Sequence, residues 1–572
     1  MPTPEPAAAN PAAEVATATQ AYRIEPPFYP IVYVRGYAMS GGERDETFHD
    51  GYYGFAASSV RKRQGPPDPD RYLLADVFEG QLMRFVKDFG YADAINRGNR
   101  VDRPPKQTVF NPSRSLWISR FYDADVLGKE LRGIEAHAAD LLQLITQIIP
   151  AELKSCGMDL GPNDEDYRVI LLAHSMGGLV CRTVLQNLMP AAQLDPTRWV
   201  HRLVTMATPH GGIDLGSLPD GVEQWLVRTL NPNDASIFEA RRMRQYLKLP
   251  DNLPPYHLNG SFPAKHCLCL IGSNYNDYAV GGNLVRRATG SFSDGLVKQN
   301  NAYLVEGPPP AADGSYPAAQ RAFSANVHKS HSGYEGIVNS YESWENVHRF
   351  LFGDVRADIS LDNLVLATAP PAQNETVFYD FEFSFSIRGT NTKTHWRAQF
   401  PCENAIRLKR DQVGTQPLLL HTAFLNTALR PVAPDDTDPA DIDTADPSYP
   451  LSRYLHFLLT VRVVERRVKE ASGLMHAFRH LVGVDSDYEG AAVYAETLEI
   501  RVDAVNYAVH YRWLSNTSQD WEKNATVTPR PEGGNIYRFP LRASGALKGD
   551  FVLQAEYWQP EVWAARQASK TA

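Results

Sequence analysis

Ser175 has a setting that could do chemistry. It stands in the stretch 167–181, YRVILLAHSMGGLVC, where an apolar run (Val169, Ile170, Leu171, Leu172) leads into Ala173-His174-Ser175-Met176-Gly177-Gly178. Leu179, Val180, Val184 and Leu185 follow at helical spacing. The pattern predicts a strand, a sharp turn and a helix, with the serine at the apex. Such a turn strains the serine backbone and exposes its Oγ above the sheet edge. The residues two before and two after it must be small, because neighbouring backbone passes close to them; Ala173 and Gly177 meet that demand. The helix N-terminus behind Ser175 favours negative charge on an oxygen that develops in acyl transfer. A match of five residues to small-x-Ser-x-Gly turns up by chance in long chains, and the flanking strand and helix are what give it weight.

A serine nucleophile needs a base, a carboxylate to orient the base, and two donors for the oxyanion. On a strand–turn–helix elbow of this kind the expected chain order is serine, acid, histidine. Two acids follow in suitable places, Asp294 in Ser291-Phe-Ser-Asp294-Gly-Leu-Val297 and Asp277 in Asn274-Tyr-Asn-Asp277. An aspartate before glycine is also an ordinary turn residue. The candidate bases are His331 and His328, in Ala325-Asn-Val-His328-Lys-Ser-His331-Ser-Gly-Tyr334. His331 precedes Ser332-Gly333, a loop-to-helix turn that suits a histidine projecting from a loop. His174, on the elbow itself, is expected to be packed or solvent-facing rather than the base. The oxyanion donors are expected to be the backbone N–H groups of Met176 and of Tyr37, the latter in the turn Gly36-Tyr37.

The elements that must carry these residues alternate. Residues 30–37 (PIVYVRGY) read as a buried strand ending in a glycine turn, 115–122 as the next, then the elbow strand, 200–207 and 266–272. Helices are expected over 73–89, 133–153 and 342–352, the last ending at Gly353. Strands alternating with helices imply a mostly parallel sheet covered on both faces. From about residue 355 the period changes to two. Phe381, Phe383, Phe385 and Ile387 alternate with polar residues, as do Phe457, Leu459, Val461 and Val463, then Leu498, Ile500 and Val502, then Phe551, Leu553, Ala555 and Tyr557. That reads as an all-β, sandwich-like half, with one helical interruption expected over 468–481. The expected organisation is an arm over 1–27, an α/β unit over 28–354 and a β-rich unit over 355–572, the boundary lying between Gly353 and Thr376, where ATAPPAQNET is linker-like.

Composition bounds the rest. The chain has 572 residues, more than one ordinary core, and a net charge of −9. There is no basic surplus to suggest nucleic acid or anionic lipid. Five cysteines without zinc spacing give no metal site, and no cofactor is called for. The acidic, proline-rich stretch 431–450 does not fit a calcium loop and reads as a solvated loop. The first 26 residues are rich in proline and alanine and lack the basic and apolar regions of a signal peptide. No window is apolar enough for a transmembrane helix. The expected address is therefore the cytoplasm or export by a non-classical route; oligomeric state is not readable.

With these residues in view, the chain over roughly 28–353 resembles the α/β-hydrolase lipases and carboxylesterases. Ala173-His-Ser-Met-Gly-Gly178 resembles the Ala-x-Ser-x-Gly elbow of some bacterial lipases. Ala207-Thr-Pro-His-Gly-Gly212 resembles the Thr-Pro-His segment after the following strand, and Asp294-Gly-Leu-Val resembles the acid turn. Arg35 departs from the histidine common before the oxyanion-loop glycine. The resemblance implies Ser175, Asp294 and His331 as catalytic residues, His210 as a support beside the site, and no metal. It also implies a lid or cap at the insertion 215–262, with helical patterns over 221–230 and 235–247 and Trp225, Leu226 and Phe238 as candidates for an apolar substrate pocket. The implied activity is that of a serine carboxylic-ester hydrolase (EC 3.1.1 class) on apolar acyl esters, lipids or polyesters. The alternatives are a phospholipase-type effector and an inert hydrolase-fold binding protein. Residues 355–572 resemble no family.

Overall fold

The computed structural model describes residues 22–36, 58–64, 73–93, 111–119, 132–213, 235–276, 292–308, 316–332, 336–373, 375–387, 392–429, 442–443, 451–469, 488–503, 508–515, 526–529, 535–542 and 545–559. Its first half is built on a parallel sheet. The strands are β1 (Ile31–Val34), β2 (Ala92–Asp93), β3 (Ser115–Ser119), β4 (Val169–His174), β5 (Val200–Met206), β6 (Cys267–Gly272) and β7 (Phe323–Val327). They stand in the order β7-β6-β5-β4-β1-β3-β2, and every neighbouring pair is parallel. β1, β4, β5 and β6 are buried along their whole length; β1, β4 and β6 accordingly read as mostly apolar runs rather than alternations, whereas β5 also buries His201, Arg202 and Thr205.

Alternate residues of these strands enter two separate clusters, as the period of two requires. Val32, Val34, Val169, Leu171 and Ala173 pack with Ile134, Ala138 and Leu141 of the helix α2 (Ile134–Gln143) and with Leu179 and Val180 of α3 (Met176–Thr183). Ile31, Tyr33, Ile170 and Leu172 pack with Leu82 and Phe85 of α1 (Gln81–Phe89) and with Trp344, Val347 and Phe350 of α4 (Tyr341–Phe352). A Cβ on Gly177 would come 2.2 Å from the carbonyl oxygen of Val34, so only glycine lets α3 approach β1 this closely.

The antiparallel half starts at Val355, directly after Gly353-Asp354. One sheet runs through Leu418–Leu425, Val355–Leu366, Leu547–Tyr557, Asn535–Pro540 and Thr526–Pro529. The other runs through Lys393–Arg397, Glu375–Ile387, Tyr454–Lys469, Tyr488–Asp503 and Val509–Trp513, with Ile406–Lys409 also on the second of these. Residues of both sheets, Ala357, Ile359 and Leu361 from one and Phe381, Phe383 and Leu459 from the other, share a single apolar cluster.

Several expectations are corrected. Residues 73–89 are not one helix: Leu73–Glu79 is a strand, Gly80 interrupts, and the helix is Gln81–Phe89. Glycine costs helix stability and allows the change of direction. The helix expected over 133–153 is drawn through a π turn at Leu144–Ile148, where the ladder widens by one residue. ATAPPAQNET does not join the two halves. It connects Val355–Leu366 to Glu375–Ile387 inside the antiparallel part. Val468 belongs to a strand rather than a helix, and residues 470–481 lie outside the described residues. Phe323–Val327 is a strand that the residue pattern alone did not mark.

Candidate active site

The elbow forms where the sequence pattern puts it. β4 ends at His174, Ser175 follows with φ 52° and ψ −128°, and α3 begins at Met176. A positive φ at a residue with a Cβ is strained by about 1–3 kcal/mol, and the surrounding packing holds it. The Ser175 N–H donates to the carbonyl of Met206 at the end of β5, and its own carbonyl accepts from Gly178 N–H. The serine is thus fixed from both sides while its side chain leaves the sheet edge.

Two loops bring the other groups to it. Asp294 lies in a tight turn after β6. Its Oδ1 accepts from the N–H groups of Leu296 (3.0 Å) and Val297 (2.7 Å), and its Oδ2 faces His331 Nδ1 at 3.0 Å. The His331 N–H donates to the Asp294 carbonyl at 2.8 Å, so main chain as well as side chain ties the two loops. His331 Nε2 is 2.9 Å from Ser175 Oγ. A carboxylate only accepts, so the Nδ1 facing it carries the proton, and Nε2 is left with a lone pair toward the serine hydroxyl. The side chains of His331 and Asp294 are 4% and 2% exposed, which places the pair out of bulk water. Gly272, the last residue of β6, makes room for the acid: a Cβ there would lie 2.7 Å from Asp294 Cβ and 2.7 Å from the Lys329 carbonyl oxygen.

The rival histidine goes elsewhere. His328 Nδ1 lies 3.1 Å from Ser273 Oγ and 3.8 Å from Cys402 Sγ, and its ring packs edge-on to Trp396 at 5.5 Å. Of the two candidate bases, the structure brings only His331 to Ser175. The rival acid Asp277 lies outside the described residues, as do Tyr37, Trp225 and Leu226. Met176 is at the first position of α3, where its N–H has no partner within the helix. The chain leading to Tyr37 passes against the serine, since a Cβ on Gly36 would fall 2.9 Å from Ser175 Cβ. Phe238 is buried beside Ile237 and Met243 in the first apolar cluster, so it packs onto the body of the parallel half. In the described part of the insertion, a 3-10 turn at Ala235–Phe238 and a helix at Ala240–Tyr246 stand where one helical pattern was read.

Three supporting residues extend this picture. His174 is buried, and its Nε2–H donates to the His331 carbonyl at 2.9 Å. Burial, with His331 and Arg35 nearby, holds its pKa down to about 3, so the ring is neutral, with its single proton on Nε2 toward that carbonyl. It fixes the main chain of the residue that faces Ser175; its place next to Ser175 was the sequence signal. His210 is fully buried with Nε2 3.0 Å from Thr205 Oγ1 on β5, and burial followed by the Arg182 charge pushes its pKa well below the ordinary value. Arg182, itself fully buried on α3, donates to the carbonyls of His210, Pro255 and His257, and so ties the segment after β5 and the end of the insertion to the elbow helix. The acid loop is held from the antiparallel half. Phe292 N–H donates to Glu403 Oε2 at 3.0 Å, and Gln299 Nε2 donates to the Cys402 carbonyl at 2.9 Å. Nothing in the sequence signalled that pairing.

Among the described residues no three His, Cys, Asp or Glu side chains converge as a metal cage, and none of the five cysteines is in a disulfide. No described helix is long and apolar enough to cross a membrane.

Comparison with solved structures gives likenesses at low score. The chain is similar to a phospholipase PlaB from Legionella pneumophila, with a TM-score of 0.31 and 12% identity over 77% of this chain and 86% of that one. It is also similar to a metagenomic carboxyl esterase, with a TM-score of 0.25 and 13% identity over 49% of this chain and 61% of that one. A third likeness is to a chain of the Tle4–Tli4 complex, with a TM-score of 0.17 and 21% identity over 33% of this chain and 34% of that one. No family model and no curated protein matches the sequence. At these scores the chemistry has to be read from the site itself.

Proposed function

We propose that this chain is a serine carboxylic-ester hydrolase, built as an α/β-hydrolase sheet with helices on both faces and a cap over 215–262, followed by a β-sandwich from residue 355. The observation that carries the reading is the unbroken line Ser175 Oγ–His331 Nε2–Asp294, at 2.9 and 3.0 Å, on a serine held at φ 52°. In this reading His331 takes the hydroxyl proton as Ser175 Oγ attacks the ester carbonyl. Asp294 holds the imidazole in the required tautomer and stabilises the imidazolium. The backbone N–H groups of Met176 and Tyr37 bind the oxyanion, each worth about 3–4 kcal/mol of barrier. The alcohol leaves with the proton from His331, and water activated by the same ring clears the acyl-enzyme. No step calls for a cofactor.

The apolar insertion points to apolar acyl esters, lipids and polyesters among them, with Trp225 and Leu226 as pocket candidates and Phe238 packed in the core. The test is hydrolysis of p-nitrophenyl esters from acetyl to palmitoyl by wild type and Ser175→Ala, together with fluorophosphonate labelling. Turnover and labelling are expected for wild type and are expected to vanish in the variant. Folded wild-type protein that neither turns over any ester nor takes the label would overturn the proposal.

A further inference from the structure

The ends of β4 carry opposite chemistry. Ser175 follows its last residue, and Arg168 precedes its first. The strand has six residues, so the two ends are about 20 Å apart. At the Arg168 end lies a cleft of about 470 Å³, lined among others by Arg168, Arg202, Lys265, His266, Arg356 and Trp558. No Asp or Glu is among the described residues that line it. Arg356 is neutralised, since it pairs with Asp358 at 2.5 Å and Glu556 at 3.5 Å. The other cations meet in the cleft from three chain segments, ahead of β4, on β5 and ahead of β6.

Two polar atoms there point to a missing ligand. Arg168 Nε and His266 Nδ1 are buried with no hydrogen-bond partner among the described residues. A buried donor left unpaired is costly, and a guanidinium more so. The local field is strongly positive. Burial, followed by the charges of Arg202, Lys265 and Arg168, holds His266 down to about 4, and burial with Arg202, His266 and Arg168 pushes His201 well below its ordinary value. Both rings are therefore neutral near pH 7; His201 Nε2 is taken up by Gln559 Oε1 at 3.3 Å, and His266 Nδ1 is left to face a ligand. Arg202 is set in place rather than swinging in water: its guanidinium lies over the Trp558 ring at 4.7 Å and donates to the His201 carbonyl at 3.3 Å.

We propose that this cleft binds a phosphomonoester group. Two guanidinium forks and an ammonium converging on one space suit the doubly charged, three-oxygen end of such a group better than a single carboxylate. The cleft is also lined by Tyr557, Trp558 and Gln559 of the antiparallel half. Gln559 Nε2 also donates to the carbonyls of Leu351 and Gly353, so an occupied cleft bears directly on the junction between the halves. Its distance from Ser175 makes it separate from the ester site, and the inference stands whatever Ser175 does. The group could be carried by a soluble metabolite or by a lipid headgroup.

The experiment uses the full chain and the double variant R168Q/K265Q, with R168K as the charge-retaining control. Titration calorimetry with glycerol 3-phosphate, at low and raised salt, reads the soluble source. Cosedimentation with phosphatidylcholine vesicles, with and without phosphatidic acid, reads the lipid source. Saturable, salt-sensitive binding to either probe is expected, weakened at least tenfold in R168Q/K265Q and largely kept in R168K. The thermal midpoint and p-nitrophenyl ester turnover should be unchanged in both variants. Calorimetric binding without vesicle binding assigns a soluble ligand, and binding only to phosphatidic acid vesicles assigns a headgroup. Absence of binding to both probes, or undiminished binding by the folded double variant, would overturn the proposal.

Discussion

Replacing Asp294 with asparagine tests how the proton on His331 is held. The two carboxylate oxygens have different partners: Oδ1 accepts from two main-chain N–H groups, and Oδ2 faces His331 Nδ1 at 3.0 Å. In Asp294→Asn the amide has one oxygen and one NH2. The oxygen must stay on the Leu296 and Val297 side, because a flipped amide would set NH2 against two donors and lose both bonds, at about 1–3 kcal/mol each. The NH2 then meets Nδ1 and donates to it. His331 is forced into the tautomer with its proton on Nε2, where it cannot accept from Ser175. The same substitution logic in serine hydrolases costs on the order of 10⁴ in kcat, about 5.4 kcal/mol of barrier. The expected result is therefore a fall of that order in kcat, with KM within a few-fold and the fold intact. Pre-steady-state ester hydrolysis and the rate of fluorophosphonate labelling give the measurement. A folded variant that keeps a tenth or more of wild-type kcat would refute the assignment of Asp294 as the orienting acid.

Gly272→Ala should act on the same carboxylate without touching it chemically. To relax a 2.7 Å approach to the ordinary 3.4 Å, Asp294 must yield by about 0.7 Å, and misplacement on the 1 Å scale costs up to about 10²-fold. A 10- to 100-fold drop in kcat with little change in KM is expected, and an unchanged kcat would show that the acid turn gives way freely. The buried His174 predicts acid lability. Its folded pKa of about 3 lies below the ordinary 6.5, so the unfolded chain takes up a proton first as the pH falls. Its contribution to stability is complete above pH 6.5 and is lost progressively toward pH 3, at up to about 1.4 kcal/mol per pH unit. His174→Gln keeps an amide donor for the His331 carbonyl and removes the titration. Urea unfolding at several pH values should show a shallower acid limb by one proton in the variant, and parallel limbs would contradict the prediction.

What the sequence made legible was set by near neighbours along the chain. The elbow is six consecutive residues with a strand before and a helix after; Gly177 faces the backbone of Val34 and Arg35, and Gly178 faces the Thr208 side chain. The strands of the antiparallel half showed themselves by alternation, as at Phe381, Phe383 and Phe385, whose side chains all enter one cluster. Where the local pattern was degenerate it misled. Leu73, Leu74, Val77, Phe78, Leu82 and Phe85 fit a helical stripe, and only Gly80 betrays the break between strand and helix. Asp294 shows why two readings of one residue need not compete. The turn reading describes Oδ1 and the acid reading describes Oδ2. His328 and His331, three residues apart, could not be ranked from their own segment. What separates them are groups contributed from elsewhere, Ser273, Trp396 and Cys402 for one and Asp294 and Ser175 for the other. The same holds for the brace on the acid loop. Phe292 meets Glu403 and Gln299 meets Cys402 across 111 and 103 residues, and such pairs leave no periodicity to read. The antiparallel half therefore reaches the geometry of Asp294 through two hydrogen bonds to one short segment, a dependence that belongs to the fold and not to any motif.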